Sequence, residues 1–76
     1  MEEKEVLEII VKKIKSMKDV DNISLSHRFK EDLGFDSVDM LEIVLFIENE
    51  FKISLAHPFT ILTVQDAINF ITGKIN

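Results

Sequence analysis

Residues 37–51 read Ser-Val-Asp-Met-Leu-Glu-Ile-Val-Leu-Phe-Ile-Glu-Asn-Glu-Phe, and a segment this apolar leaves few folds open. Leu41, Val44, Ile47 or Glu48, and Phe51 recur at helical spacing, while Met40, Ile43, Leu45 and Phe46 widen the apolar band beyond one stripe. Such a helix either lies between neighbours or shows part of its apolar surface to a partner. The neighbours must come from a chain of 76 residues that has no cysteine. A chain of that length buries roughly 60–65% of its unfolded surface, and here no disulfide or thiolate-bound metal can add to the core. With 46% hydrophobic and 30% charged residues, the composition is that of a small helical bundle rather than a disordered chain.

Two further helices are legible. Residues 2–17 carry Val6 or Leu7, Ile10, Val11, Ile14 and Met17 at helical spacing. Glu2, Glu3 and Glu5 stand at the start and Lys12, Lys13, Lys15 and Lys18 toward the end, so both termini complement the helix dipole. Thr63-Val64-Gln65-Asp66 reads as a capping box with Asp66 in place of the usual glutamate. Val64, Ala67, Ile68 and Ile71 continue from it as one stripe, with Gly73 placed to end the helix. Residues 18–36 lack a sustained helical period and read as a long ordered loop. Leu25, Phe29 and Leu33 are expected to tuck it against the core. The expectation is an all-α, single-domain chain over residues 1–76 with no internal repeat or linker.

Charge is unevenly spread over a net −5. Glu31, Asp32, Asp36, Asp39, Glu42, Glu48 and Glu50 lie between residues 31 and 51 with no base among them. A field of that sign repels nucleic acid and anionic membrane and steers association with basic protein surfaces. Acids this crowded are also expected to repel one another and depress stability. A solvated helix face is the plain alternative. No apolar run reaches the roughly 18 residues of a membrane span, and no signal-peptide pattern opens the chain, which leads to the expectation of a cytoplasmic protein with no membrane insertion.

The run Asp32-Leu33-Gly34-Phe35-Asp36-Ser37-Val38-Asp39 sets a serine at the start of the central helix, between acids and just after a glycine. A phosphate on that hydroxyl would sit at the positive end of the helix dipole. The plainer reading makes Asp36 or Ser37 an N-cap and Gly34 a turn residue. These residues alone leave both readings open.

Asp32-Leu33-Gly34-Phe35-Asp36-Ser37-Val38 resembles the prosthetic-group attachment motif of acyl carrier proteins, Asp-Leu-Gly-x-Asp-Ser-Leu, with Val38 for the usual leucine. The likeness extends to Phe29 upstream, to Glu42, Val44, Glu48, Glu50 and Phe51 downstream, and to the opening of the last helix at Thr63-Val64-Gln65-Asp66-Ala67-Ile68. It implies a four-helix bundle with a long first loop and a short or degenerate third helix. It further implies that Ser37 carries 4′-phosphopantetheine transferred from coenzyme A, with Asp36 assisting the transfer. The thiol of that arm would hold acyl chains as thioesters for fatty-acid or related biosynthesis. The implied partners are a phosphopantetheinyl transferase and acyl-transferring and acyl-chain biosynthetic enzymes with basic docking patches. A monomer is expected, with Val38, Asp39, Glu42, Leu45 and Glu48 as its docking face.

The chain departs from the family between Ile53 and Leu62. No acid lies between Glu50 and Asp66, the segment is about two residues short, and Pro58 limits how a helix could run. This bears on which enzymes recognise the carrier and suggests a dedicated pathway. An amino-acid carrier, peptidyl or D-alanyl, would share the fold and Ser37, and an unmodified acidic interaction module is a third reading. His27 and His57 are expected to be loop or core residues, no metal site is expected, and Ser37 has no histidine nearby in sequence for hydrolysis. The chain reads as a carrier and not as an enzyme. Some of its phenylalanines could line an acyl pocket.

Overall fold

Glu3–Met17 (α1), Ser37–Phe51 (α2) and Val64–Ile75 (α3) are helical in the computed structural model, which describes residues 2–55 and 60–75. Each helix packs against the other two. Among the described residues there is no strand beyond an isolated antiparallel bridge between Arg28 and Thr63. The fold is all-α. Of the segment expected to hold a short or degenerate third helix, residues 56–59 lie outside the described residues, Thr60 is in 3-10 conformation, and Ile53–Leu55 and Ile61–Leu62 are not helical.

The helices follow the apolar pattern closely. Val6, Ile10 and Ile14 are the buried ridge of α1, and Val64, Ala67, Ile68 and Ile71 that of α3. The capping box of α3 forms as its residues suggest. Thr63 Oγ1 accepts the Asp66 N–H at 3.1 Å, and Asp66 Oδ2 accepts the N–H groups of both Thr63 and Leu62 at 3.0 Å. The shorter aspartate thus serves where glutamate is usual.

Two expectations need correction. Gly73 does not end α3: the helix continues to Ile75, and Gly73 lacks the positive φ that a glycine stop requires. Leu41, which the helical spacing sets with Val44, Ile47 and Phe51, is not a core residue: it is 59% exposed, and Leu45 of the expected docking face is 50% exposed. The reason is angular. The neighbours of α2 cover the arc of Ile43, Val44, Ile47 and Phe51, and positions 38, 41 and 45 fall on the uncovered side.

The long connection between α1 and α2 is ordered by its own aromatic residues and by backbone pairing. Phe29, Leu33 and Phe35 are buried, and the Phe29 and Phe35 rings meet at 5.2 Å with their planes tilted by 53°. The N–H groups of Phe29, Val64 and Gln65 donate to the carbonyls of Leu62, His27 and Leu25 at 2.9–3.0 Å, which fastens the loop to the start of α3. His27 has a loop role, since its Nδ1 accepts the Ser24 N–H at 3.1 Å; His57 lies outside the described residues.

The crowded acids are compensated from outside their own window. Lys13 Nζ lies 3.0 Å from Glu42, Lys18 Nζ 2.8 Å from Asp39, and Arg28 pairs with Asp32 at 3.1 Å and Glu31 at 3.6 Å. Repulsion within residues 31–51 is therefore relieved at Glu31, Asp32, Asp39 and Glu42, four of the seven acids. Lys13 and Lys18, from α1 and its C-cap, reach their acids only on folding, whereas Arg28 pairs with acids three and four residues along the chain.

These pairs have a pH signature. The Arg28 guanidinium holds Asp32 below its ordinary value of 3.8, and Lys18 does the same for Asp39. Stability from the two carboxylates is present above that value and lost as pH falls through the lower folded-state values. Lys18 and Arg28 are both raised by their carboxylate partners, so their side of the pairing is present throughout the neutral range and is lost only in strong alkali. Asp32→Asn and Asp39→Asn should each lower the melting temperature at neutral pH and narrow their gap to wild type on acidification. A gap that is constant with pH would contradict the pairing. Gly73→Ala should raise the melting temperature, because a helical glycine costs about 0.5–1 kcal/mol relative to alanine. A Cβ at Gly73 would meet no atom within 4 Å, so a fall would mean that the last turn is not helical in solution.

Candidate functional site

Four short-range devices converge on the turn that precedes α2. The first is at Arg28–Asp32. Asp32 Oδ2 accepts the Arg28 N–H at 2.8 Å and its Nε at 3.1 Å, while Asp32 N–H donates back to the Arg28 carbonyl at 2.9 Å. This closes the turn ahead of Leu33. The second is Gly34, whose φ of +72° lies in the left-handed region where a side chain is strained. The third is Phe35, whose buried ring and N–H bond to the Phe29 carbonyl at 2.9 Å anchor the turn to the core.

The fourth device is the cap itself. Asp36 is the N-cap of α2, in extended backbone (φ −97°, ψ −174°). Its Oδ1 accepts the Asp39 N–H at 2.8 Å, and Asp39 Oδ2 accepts the Asp36 N–H at 3.0 Å. The capping role thus belongs to Asp36, and Ser37 is the first helical residue. Freed from capping, the Ser37 side chain is exposed and its hydroxyl makes no hydrogen bond among the described residues. The unpaired amides of the first turn surround it with partial positive charge.

Ser37 borders a cavity of about 370 Å³. Buried Phe29, Val44 and Ile61 and half-buried Met40 give it an apolar lining, and exposed Lys30, Glu31, Leu41 and Leu62 surround it toward solvent. Loop, α2 and the segment before α3 all contribute to it. It can take an extended apolar group, with a polar group bonded at Ser37 remaining in water. Of the phenylalanines, Phe29 lines this cavity, whereas Phe35 and Phe51 are core.

The other sequence candidates divide in two. Val38, Leu41 and Leu45 form an exposed apolar stripe at helical spacing; Val38 is 73% exposed, and Glu42 lies beside the stripe. Asp39 and Glu48 spend their carboxylates inside the chain. Asp39 closes the cap and pairs with Lys18, and Glu48 Oε2 accepts the Leu55 N–H at 2.9 Å. Sequence reasoning missed Leu41 and Leu62 as exposed apolar residues, and it missed Phe35 in the core. It also missed Lys13, Lys18 and Arg28 as partners of the acids. Nothing in a linear reading pairs Lys18 with Asp39, although the short side chain of Asp39 at the third helical position was a visible cap signal.

Comparison with known proteins places the chain in a family. A family model described as phosphopantetheine attachment site matches residues 4–71. An acyl carrier protein of Onion yellows phytoplasma (strain OY-M) is 45% identical over 56 residues, spanning 71% of this chain and 74% of the relative. One from Cylindrotheca sp. (strain N1) is 39% identical over 59 residues, 75% of this chain and 74% of the relative. One from Chlorobium phaeobacteroides (strain DSM 266 / SMG 266 / 2430) is 39% identical over 71 residues, 91% of this chain and 88% of the relative. Among the described residues, no helix is long and apolar enough to cross a membrane. The chain belongs to the acyl carrier proteins, a family whose members bear 4′-phosphopantetheine and carry acyl groups on it.

Proposed function

We propose that Ser37 is the attachment point of the 4′-phosphopantetheine arm. The observation that carries this is the exposed, uncommitted Ser37 hydroxyl in the first turn of α2, beside an apolar cavity. The residues present fit the group. A phosphodiester at Ser37 is favoured by the helix dipole, Gly34 and the Asp36–Asp39 cap hold the hydroxyl outward, and the cavity offers shelter to an acyl chain. When bound, the arm supplies a thiol that holds acyl groups as thioesters. On a separate phosphopantetheinyl transferase, Ser37 Oγ attacks the coenzyme A phosphate that bears pantetheine. The Oγ–P bond forms as the pyrophosphate P–O bond breaks, adenosine 3′,5′-bisphosphate leaves, and the hydroxyl proton passes to a base of the transferase. Asp36 assists through its charge or through a metal ion held by the transferase; the cap uses Oδ1, which leaves Oδ2 for that purpose.

The docking face in this reading is the stripe of Val38 and Leu45, extended by Leu41 and flanked by Glu42. Asp39 and Glu48 contribute through their fields at its margins while their carboxylates serve the fold. Enzymes with basic patches are drawn to this face, and rim charges act mainly on association rate. The chain acts as one cytoplasmic, monomeric carrier domain over residues 1–76 that performs no chemistry of its own. The four-helix bundle with a short or degenerate third helix remains part of the same reading. The segment from Ile53 to Leu62, which has no acid, favours a dedicated biosynthetic pathway over general fatty-acid elongation.

Intact-mass measurement after incubation with coenzyme A and a broad-specificity transferase should show the addition of one phosphopantetheine, and Ser37→Ala should abolish it. Modification persisting in Ser37→Ala would overturn the assignment. Loaded protein should be elongated more slowly by a standard set of fatty-acid synthase enzymes than an ordinary acyl carrier protein assayed alongside. Equal rates would remove the argument for a dedicated pathway.

A further inference from the structure

A capping box built from two aspartates has a physical problem. The reciprocal bonds between Asp36 and Asp39 bring two carboxylates to the same turn, and like charges held that close repel. The common version of the motif avoids this with a neutral serine or threonine on one side. In this chain Lys18 answers the problem. It is the C-cap of α1, and its ammonium lies 2.8 Å from Asp39 Oδ2, the oxygen that also accepts the Asp36 N–H at 3.0 Å. Lys18 Nζ further lies 5.9 Å from the centroid of the Phe35 ring. One cation therefore contacts residues on both sides of Asp36-Ser37. The Lys18 and Asp39 side chains are 30% and 21% exposed, against 21% and 53% for Lys13 and Glu42 in the other α1–α2 pair, so it is the carboxylate that is better shielded here. Shielding of this kind makes a pair less subject to screening by salt. The Lys18 ammonium is held above its ordinary value by Asp39 first, with a smaller contribution from Asp36.

We infer that Lys18 is a positioning residue for the modification of Ser37: it neutralises Asp39 so that the Asp36–Asp39 clamp stays closed and the serine is presented in a fixed orientation. This rests on the reading of Ser37 as the attachment point. Without the ammonium, one carboxylate swings toward solvent, the Asp36 N–H loses its acceptor, and the first turn of α2 loosens. Misplacing a reacting hydroxyl lowers the rate of the chemical step more than it weakens binding. Charge alone predicts the opposite sign. Removing a lysine makes the chain more acidic and should speed its encounter with a basic transferase.

The test compares wild type with Lys18→Met, Lys18→Arg and Lys13→Met, using one transferase and coenzyme A. Lys18→Met should lower kcat by about tenfold with KM unchanged or reduced. Lys18→Arg should restore most of the kcat. Lys13→Met removes the other α1–α2 ion pair, which lies one turn further along α2 and makes no contact with the cap carboxylates, and should keep kcat. Hydrogen exchange of the Asp36 amide gives a second readout independent of the enzyme, and it should accelerate in Lys18→Met but not in Lys13→Met. Wild-type kcat in Lys18→Met overturns the inference, as does an equal loss in both methionine variants or an unchanged Asp36 amide. A wild-type chain that is not modified at all overturns the reading of Ser37 instead, and the Asp36 amide then still decides whether Lys18 holds the clamp.

Discussion

The backbone pairing between the first loop and the segment leading into α3 is the constraint on which the site depends. Phe29 N–H to the Leu62 carbonyl, Val64 N–H to that of His27 and Gln65 N–H to that of Leu25 form a short seam. It joins chain segments more than thirty residues apart. A loop of this length would otherwise retain much of its conformational entropy, which folding must overcome at about 1–2 kcal/mol per residue. The seam lays Phe29 against the core, Phe35 packs on Phe29, and the Gly34 turn is then suspended between a buried phenylalanine and the α2 cap. Ser37 is presented by a loop held at both ends rather than by a helix alone.

The same seam makes the cavity. Phe29 comes from the loop, Val44 from α2 and Ile61 from the approach to α3, so the space beside Ser37 exists only when all three meet. Buried apolar walls together with an exposed hydroxyl suit a carrier, whose cargo is apolar and whose tether is polar. Charge is divided in a matching way. Lys13, Lys18 and Arg28 neutralise acids on the loop and on one side of α2, which leaves the stripe of Val38, Leu41 and Leu45 as apolar surface edged by the remaining negative field. A helix with two apolar sides is thereby used twice, once for the core and once toward solvent.

Much of this was legible in the chain itself. Helical period predicted α2 to its terminal residues, α1 to within one residue, and the buried stripe of α3 without error, because local spacing and capping chemistry act over a few residues. The Gly34 turn and a cap at Asp36 or Ser37 were readable for the same reason, since turn geometry and N-capping are decided within a handful of bonds; the structure gives the cap to Asp36. Gly73 misled the reading. A glycine stops a helix only if the chain beyond it turns away, and here it does not.

What the sequence determined by itself was the all-α class, the three helices and the Thr63–Asp66 cap, all of them short-range consequences of residue type and spacing. Ser37, by contrast, was singled out by the resemblance of its motif to that of acyl carrier proteins. Tertiary structure alone decided which side of α2 was covered, and hence that Leu41 and Leu45 face water while Ile43 and Ile47 do not. It also decided which acids were neutralised, since Lys18 meets Asp39 and Lys13 meets Glu42 only after α1 has packed on α2. The division has one physical cause. Backbone preference and capping act between neighbours in sequence, whereas burial and charge pairing act between neighbours in space.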